Sequence, residues 1–128
     1  VDFTKDACNR LQQRFNADVT AIEEDMKGCV WIATNKGQVW RSTSTVLSEN
    51  TSFVPWTKGI KVNENYRIYK DRNGCLWLGD EHAGVLYIDP VTEKVESYKL
   101  APAGRTNFSA SIRQFCLDSR NRLWIATA

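Results

Sequence analysis

The chain has 128 residues, of which 42% are hydrophobic, 25% charged and 11% aromatic, the make-up of one ordinary folded domain rather than of a disordered or fibrous chain. Its 17 Lys and Arg are interspersed with 15 Asp and Glu and leave a formal charge of +2, too little to argue for a nucleic-acid or membrane-surface partner. The longest apolar runs, such as Val85, Leu86, Tyr87 and Ile88, fall far short of the roughly 20 residues that cross a bilayer, so no membrane span and no signal peptide is expected in this segment.

Residues 1–18 come before any regular pattern. Leu11 and Phe15 have helical spacing, which Asn16 and Asp18 then break, so this stretch is either a lead-in helix or the tail of a preceding unit. Residues 19–64 read as four short strands. An apolar strand around Ile22 runs into Asp25, the turn closes at Gly28, and Val30, Trp31 and Ile32 follow. A second turn at Asn35, Lys36 and Gly37 leads into Val39, Trp40 and Arg41, and Phe53, Val54 and Trp56 form the fourth strand.

Residues 65–111 repeat the scheme. Ile68, Asp71, Gly74, Leu76 and Trp77 stand where Ile22, Asp25, Gly28, Val30 and Trp31 stood. The strand at Val85, Leu86, Tyr87 and Ile88 and the strand at Val95, Ser97 and Tyr98 complete the unit, joined by a turn at Asp89 and Pro90. Residues 112–128 begin a third copy, with Phe115, Asp118, Asn121, Leu123 and Trp124. Trp31 and Trp77 are 46 residues apart, and Trp77 and Trp124 are 47 apart. A near-constant period of this length with four strands in each copy predicts an all-β fold of β-propeller blades, each a four-stranded antiparallel sheet. About two to three blades give a partial propeller.

The repeated residues are read structurally. Gly28, Gly74 and Asn121 supply the positive φ of a tight turn, and Asp25, Asp71 and Asp118 accept backbone N–H groups across it. Trp31, Trp77 and Trp124 are expected to fill the wedge between successive blades. Carboxylates on separate blades lie too far apart to act as an acid–base pair.

The pattern Ile22, Asp25, Gly28, Val30, Trp31, Thr34 and Gly37, with its echoes at Asp71, Gly74, Leu76 and Trp77 and at Asp118, Leu123, Trp124 and Thr127, resembles the two-component regulator propeller repeat. That repeat is found in the periplasmic sensor half of Bacteroides-type hybrid two-component systems. Asp80 departs from the usual Thr, Asn121 from the usual Gly, and the second turn reads one residue longer at Glu81, His82 and Ala83. The resemblance implies paired seven-bladed propellers followed by an Ig-like domain, a membrane helix and an intracellular histidine kinase. It also implies a periplasmic location and a role in sensing oligosaccharides released from glycans, with no chemistry and no cofactor in this segment. Val1 in place of an initiator Met, and an end at Ala128 inside an apolar run, read as a piece of a longer protein. An incomplete propeller presents an apolar blade face and a sheet edge, so copies are expected to self-associate there.

In an up-and-down blade, the turn between the second and third strands and the connector to the next blade open on one face. Polar side chains there are where a ligand would bind. For a sugar, hydroxyls need donors and acceptors and the ring face needs an exposed aromatic. The candidates are Tyr66, Arg67, Glu81, His82, Arg105, Asn107 and Arg113. His82 is the only histidine, and a zinc site needs three or four convergent ligands, so no metal is expected. Cys8, Cys29, Cys75 and Cys116 are spaced by 21, 46 and 41 residues, which matches no zinc or C-x-x-C pattern. Mainly free thiols are expected, although an oxidising periplasm permits a disulfide. Two other classes of function fit a propeller. A lyase or glycoside hydrolase needs a His or acid cluster at the central channel, and a protein-interaction scaffold would belong to a parent chain without a membrane helix.

Overall fold

The computed structural model describes residues 14–46, 51–61, 63–101 and 109–128. They form three antiparallel sheets. The first contains β1 (Val19–Glu24), β2 (Val30–Thr34), β3 (Val39–Ser42) and β4 (Phe53–Pro55) in sequential order. The second repeats that order with β5 (Arg67–Lys70), β6 (Leu76–Gly79), β7 (Gly84–Ile88) and β8 (Val95–Lys99), and the third is the hairpin of β9 (Ile112–Leu117) and β10 (Leu123–Thr127). Trp31 pairs with Glu23 and Arg41, and Trp77 pairs with Tyr69 and Tyr87 at the same register. β1 lies against β5, and β5 against β9. The first strands of successive sheets are therefore neighbours, the arrangement of blades around a propeller axis. The chain is all-β, two four-stranded blades and the first hairpin of a third. No helix among the described residues is long and apolar enough to cross a membrane. Most of the segment 1–18 lies outside the described residues, but Phe15 packs on Trp40 and Phe53 with ring centroids 5.4 and 5.3 Å apart.

The core lies between blades. Trp31, Val39 and Trp56 of the first blade meet Tyr66, Leu76, Leu78, Leu86 and Ile88 of the second. Tyr69 and Trp77 pack in the same way against Ile112 and Phe115. Exposure of the repeated tryptophans follows from this. Trp31 is covered by the second blade and is 0% exposed, Trp77 under the two-stranded hairpin is half-buried, and Trp124, which no further blade covers among the described residues, is 59% exposed. The wedge-filling role expected of the three rings is thus seen in full at Trp31.

The turns behave as repeat chemistry requires. Gly28 and Gly74 have φ of 89° and 82°, and Asn121, in the equivalent place, has φ of 61°. At the β2–β3 turn Gly37 is left-handed at φ 72°, closed by the Thr34 N–H on the Gln38 carbonyl at 3.0 Å. The β6–β7 turn corrects one expectation. It is not longer: the Asp80 N–H donates to the Gly84 carbonyl at 2.9 Å across the same number of residues, and Ala83, at φ 62°, takes the place of Gly37. Asp80 then does the work of the usual Thr, its Oδ1 accepting from the His82 and Gly84 amides at 2.8 and 2.7 Å.

The two left-handed positions differ in what surrounds them. A Cβ on Gly37 would lie 2.6 Å from the Asn63 nitrogen and 2.9 Å from the Glu64 nitrogen, so backbone and not a yielding side chain meets it. Gly37→Ala is expected to cost about 2 kcal/mol or more, from the left-handed penalty together with displacement of the connector. Ala83→Gly should change stability by less than about 1 kcal/mol, because relief of the left-handed strain offsets the added chain entropy. Urea unfolding of the two variants checks this, and equal effects would contradict it.

Candidate functional site

Two sets of polar groups stand out, one at each end of the blades. At the β1–β2 end, Asp25 Oδ1 accepts from the Lys27 and Cys29 amides at 2.9 and 3.0 Å, while Oδ2 accepts from Trp31 Nε1 at 2.9 Å. Asp71 repeats this with Asn73, Cys75 and Trp77, and Asp118 with Arg120, Arg122 and Trp124. Each carboxylate thus caps a turn with one oxygen and holds the repeat's tryptophan with the other. A buried indole N–H needs an acceptor, and the constant six-residue step from Asp to Trp supplies it. Both oxygens of all three acids are engaged in this way, which gives them a structural role.

The third copy shows the electrostatic effect of this cap most openly. Hydrogen bonds from Trp124 first, and then from Arg122 and Arg120, stabilise the ionised form and lower the Asp118 carboxyl from its usual 3.8 to about 2. Because the folded-state pKa is the depressed one, the group's contribution to stability is present above pH 3.8 and is lost as pH falls through about 2. A carboxyl-carbon NMR titration should place the Asp118 midpoint near 2. In Trp124→Phe, which has no indole N–H, the midpoint should climb toward 3.8, and an unmoved midpoint would contradict the cap.

At the opposite end the β6–β7 turn meets the connector between the blades. The Glu64 carboxylate is buried; its Oε1 lies 2.5 Å from His82 Nδ1 and its Oε2 accepts from the Glu81 amide at 3.1 Å. Asn65 Nδ2 donates to Glu81 Oε1 at 2.9 Å. Lys61 Nζ stands 3.7 Å from the buried Asp80 Oδ2, and the Lys61 N–H donates to the Tyr66 hydroxyl at 2.9 Å. The connector is therefore fastened to the turn by side chains from both, with the imidazole of His82 and the carboxylate of Glu81 on the solvent side.

Of the sequence candidates, Glu81 and His82 are brought together here as exposed turn residues. Tyr66 is placed differently from an exposed stacking ring. It is buried in the inter-blade core, and burial raises its phenol pKa, with the Lys61 hydrogen bond opposing and Asp80 and Glu64 adding to the rise. Arg67 is not a free loop residue either, because its guanidinium donates to the Thr20 carbonyl on β1 at 3.0 Å and ties the two blades together. Arg113 is exposed on β9, next to Ile112, whose N–H donates to the Asp80 carbonyl of that turn at 2.8 Å. Arg105 and Asn107 lie outside the described residues. Sequence reasoning missed Lys61, Glu64, Asn65 and Asp80. The density of charge in the connector at Lys61 and Glu64 was the available signal.

Among the described residues no three His, Cys, Asp or Glu side chains gather as metal ligands. Cys29 and Cys75 are buried free thiols and Cys116 an exposed one. Burial raises the Cys75 pKa, which makes it a poor nucleophile, with a hydrogen bond from Tyr87 partly opposing.

A sequence model described as two component regulator propeller matches residues 13–36, 59–82 and 108–128, together just over half of the chain. The matched segments carry Asp25 and Trp31, Asp71 and Trp77, and Asp118 and Trp124, the pairs joined by hydrogen bonds in each blade. No curated protein matches the chain significantly.

Proposed function

Because the chain belongs to the two component regulator propeller family, we propose that it forms part of the periplasmic ligand-receiving propeller of a hybrid two-component sensor histidine kinase. Its ligands are oligosaccharides released from glycans, and its task is reception rather than chemistry. The observation that carries this reading is the polar cluster on the connector face. There Glu81 and His82 stand exposed on a turn that Glu64, Asn65 and Lys61 hold to the neighbouring blade. Hydrogen-bonding groups on a rigid scaffold suit a hydroxyl-rich ligand. The capped acids of the opposite end are instead engaged with their own turns and tryptophans.

An oligosaccharide array probed with the purified protein tests the reading. Retention of one glycan class, lost in a Glu81→Ala/His82→Ala double variant, is the expected result; absence of binding across the array contradicts it. We further propose that copies associate through the open end of the third hairpin, where Trp124 is 59% exposed and β10 pairs only with β9 among the described residues. Light scattering across a concentration series should then give a mass above that of one chain, which Trp124→Glu lowers.

A further inference from the structure

The arrangement around His82 goes further than an exposed histidine on a turn. Glu64 is buried and already accepts the Glu81 amide on Oε2. Its other oxygen, 2.5 Å from His82 Nδ1, is an acceptor as well. A carboxylate only accepts, so Nδ1 carries the proton in the neutral imidazole and Nε2 is left with its lone pair. The side chain is 62% exposed, and no described residue hydrogen-bonds to Nε2. A buried carboxylate that fixes the tautomer and orientation of an exposed histidine is the usual device for presenting the second nitrogen to something else.

The neighbours give that nitrogen a particular chemistry. Glu81 stands beside it with Oε1 held by Asn65, which leaves Oε2 as a second acceptor toward solvent. The cluster of connector and turn holds three carboxylates, those of Glu64, Asp80 and Glu81, against one ammonium, that of Lys61, which faces Asp80 at 3.7 Å. Acceptors thus outnumber donors and the local charge is negative. An anionic ligand would meet like charge here, whereas a neutral one can donate its O–H groups to Nε2 and to Glu81.

The geometry points to His82 as a specificity-determining ligand contact: held by Glu64 as the Nδ1–H tautomer, it accepts a hydrogen bond from a ligand hydroxyl on Nε2 beside Glu81 and selects neutral over acidic oligosaccharides. This rests on the reading of the chain as an oligosaccharide receiver.

Two measurements test it. As His82 is the only histidine, long-range proton–nitrogen NMR correlation reads its tautomer without ambiguity, and the Nδ1–H form is expected; a dominant Nε2–H form would overturn the assignment. Calorimetric titration then compares neutral hexaoses (malto-, cello- and xylohexaose) with hexagalacturonate. At least one neutral sugar should bind, His82→Ala and His82→Lys should each weaken it at least tenfold, and hexagalacturonate should bind at least tenfold more weakly. Tighter binding of hexagalacturonate, or a neutral sugar indifferent to both variants, would overturn the inference while leaving oligosaccharide reception intact. If neither class binds, the receptor reading falls and this inference with it.

Discussion

Trp31→Ala should remove most of the stability of the first blade pair, about 3–5 kcal/mol by urea unfolding followed by circular dichroism. Its ring is 0% exposed and packs on Trp56 at 4.9 Å between centroids, inside a cluster that the second blade completes. Arg41 stacks its guanidinium 5.4 Å from the same ring and reaches the Pro90 carbonyl of the second blade at 3.2 Å, so the cavity would also loosen an inter-blade tie. Trp124→Ala, at the same place in its repeat but 59% exposed, should cost about 1 kcal/mol or less. The contrast separates burial between blades from the identity of the residue. Equal losses at the two positions would mean that the rings stabilise their own hairpins and not the stacking of blades.

Asp25→Ala should cost nearly as much as Trp31→Ala. Removal of the carboxylate strands the Cys29 amide and the Trp31 indole N–H, both buried, together with the partly exposed Lys27 amide. At about 1–3 kcal/mol for each buried donor left unpaired, the two buried groups together lose about 2–6 kcal/mol. Arg41 Nη2, 3.5 Å from Asp25 Oδ2, would lose its buried counter-charge as well. Asp25→Asn should recover only part of this, since an amide oxygen can cap the turn but its NH2 then opposes the indole donor. The double variant Asp25→Ala/Trp31→Ala should be less destabilised than the two single losses added together, because both remove the same hydrogen bond. Additive losses would show that the bond contributes nothing. Asp118→Ala should be much milder, as water can reach the donors it leaves.

Much of the architecture was legible in residue spacing. The 46- and 47-residue intervals between tryptophans carry the repeat, and Asp25 with Gly28 or Asp118 with Asn121 mark each first turn because few other residues cap a turn or accept a positive φ. The link between Asp and Trp was visible as a constant spacing but not as a bond, since an indole's partner depends on how the strand is twisted after the turn. Ala83 was misplaced for a clearer reason. Glycine is the default left-handed residue, so Gly84 drew the alignment toward itself, while the equal interval from Trp31 to Val39 and from Trp77 to Val85 pointed to turns of one length.

The candidate site was less legible. Glu81 and His82 follow from turn position alone. The burial of Tyr66, the reach of Arg67 to Thr20 and the bond from Glu64 to His82 all depend on how one blade is set against the next. Contacts between residues 47 or 18 positions apart leave no periodic trace in either strand.

The central claim is that each blade buries the tryptophan of the blade before it, and hydrogen exchange of the three indole N–H groups in dilute protein tests it most directly. Trp31, 0% exposed, should exchange slowest, Trp77 at an intermediate rate, and Trp124, 59% exposed, fastest. All three donate to an aspartate in the same way, so the order of rates reports the covering blade and not the hydrogen bond. Equal protection of the three, or a Trp124 slower than Trp31, would contradict the stacking of blades.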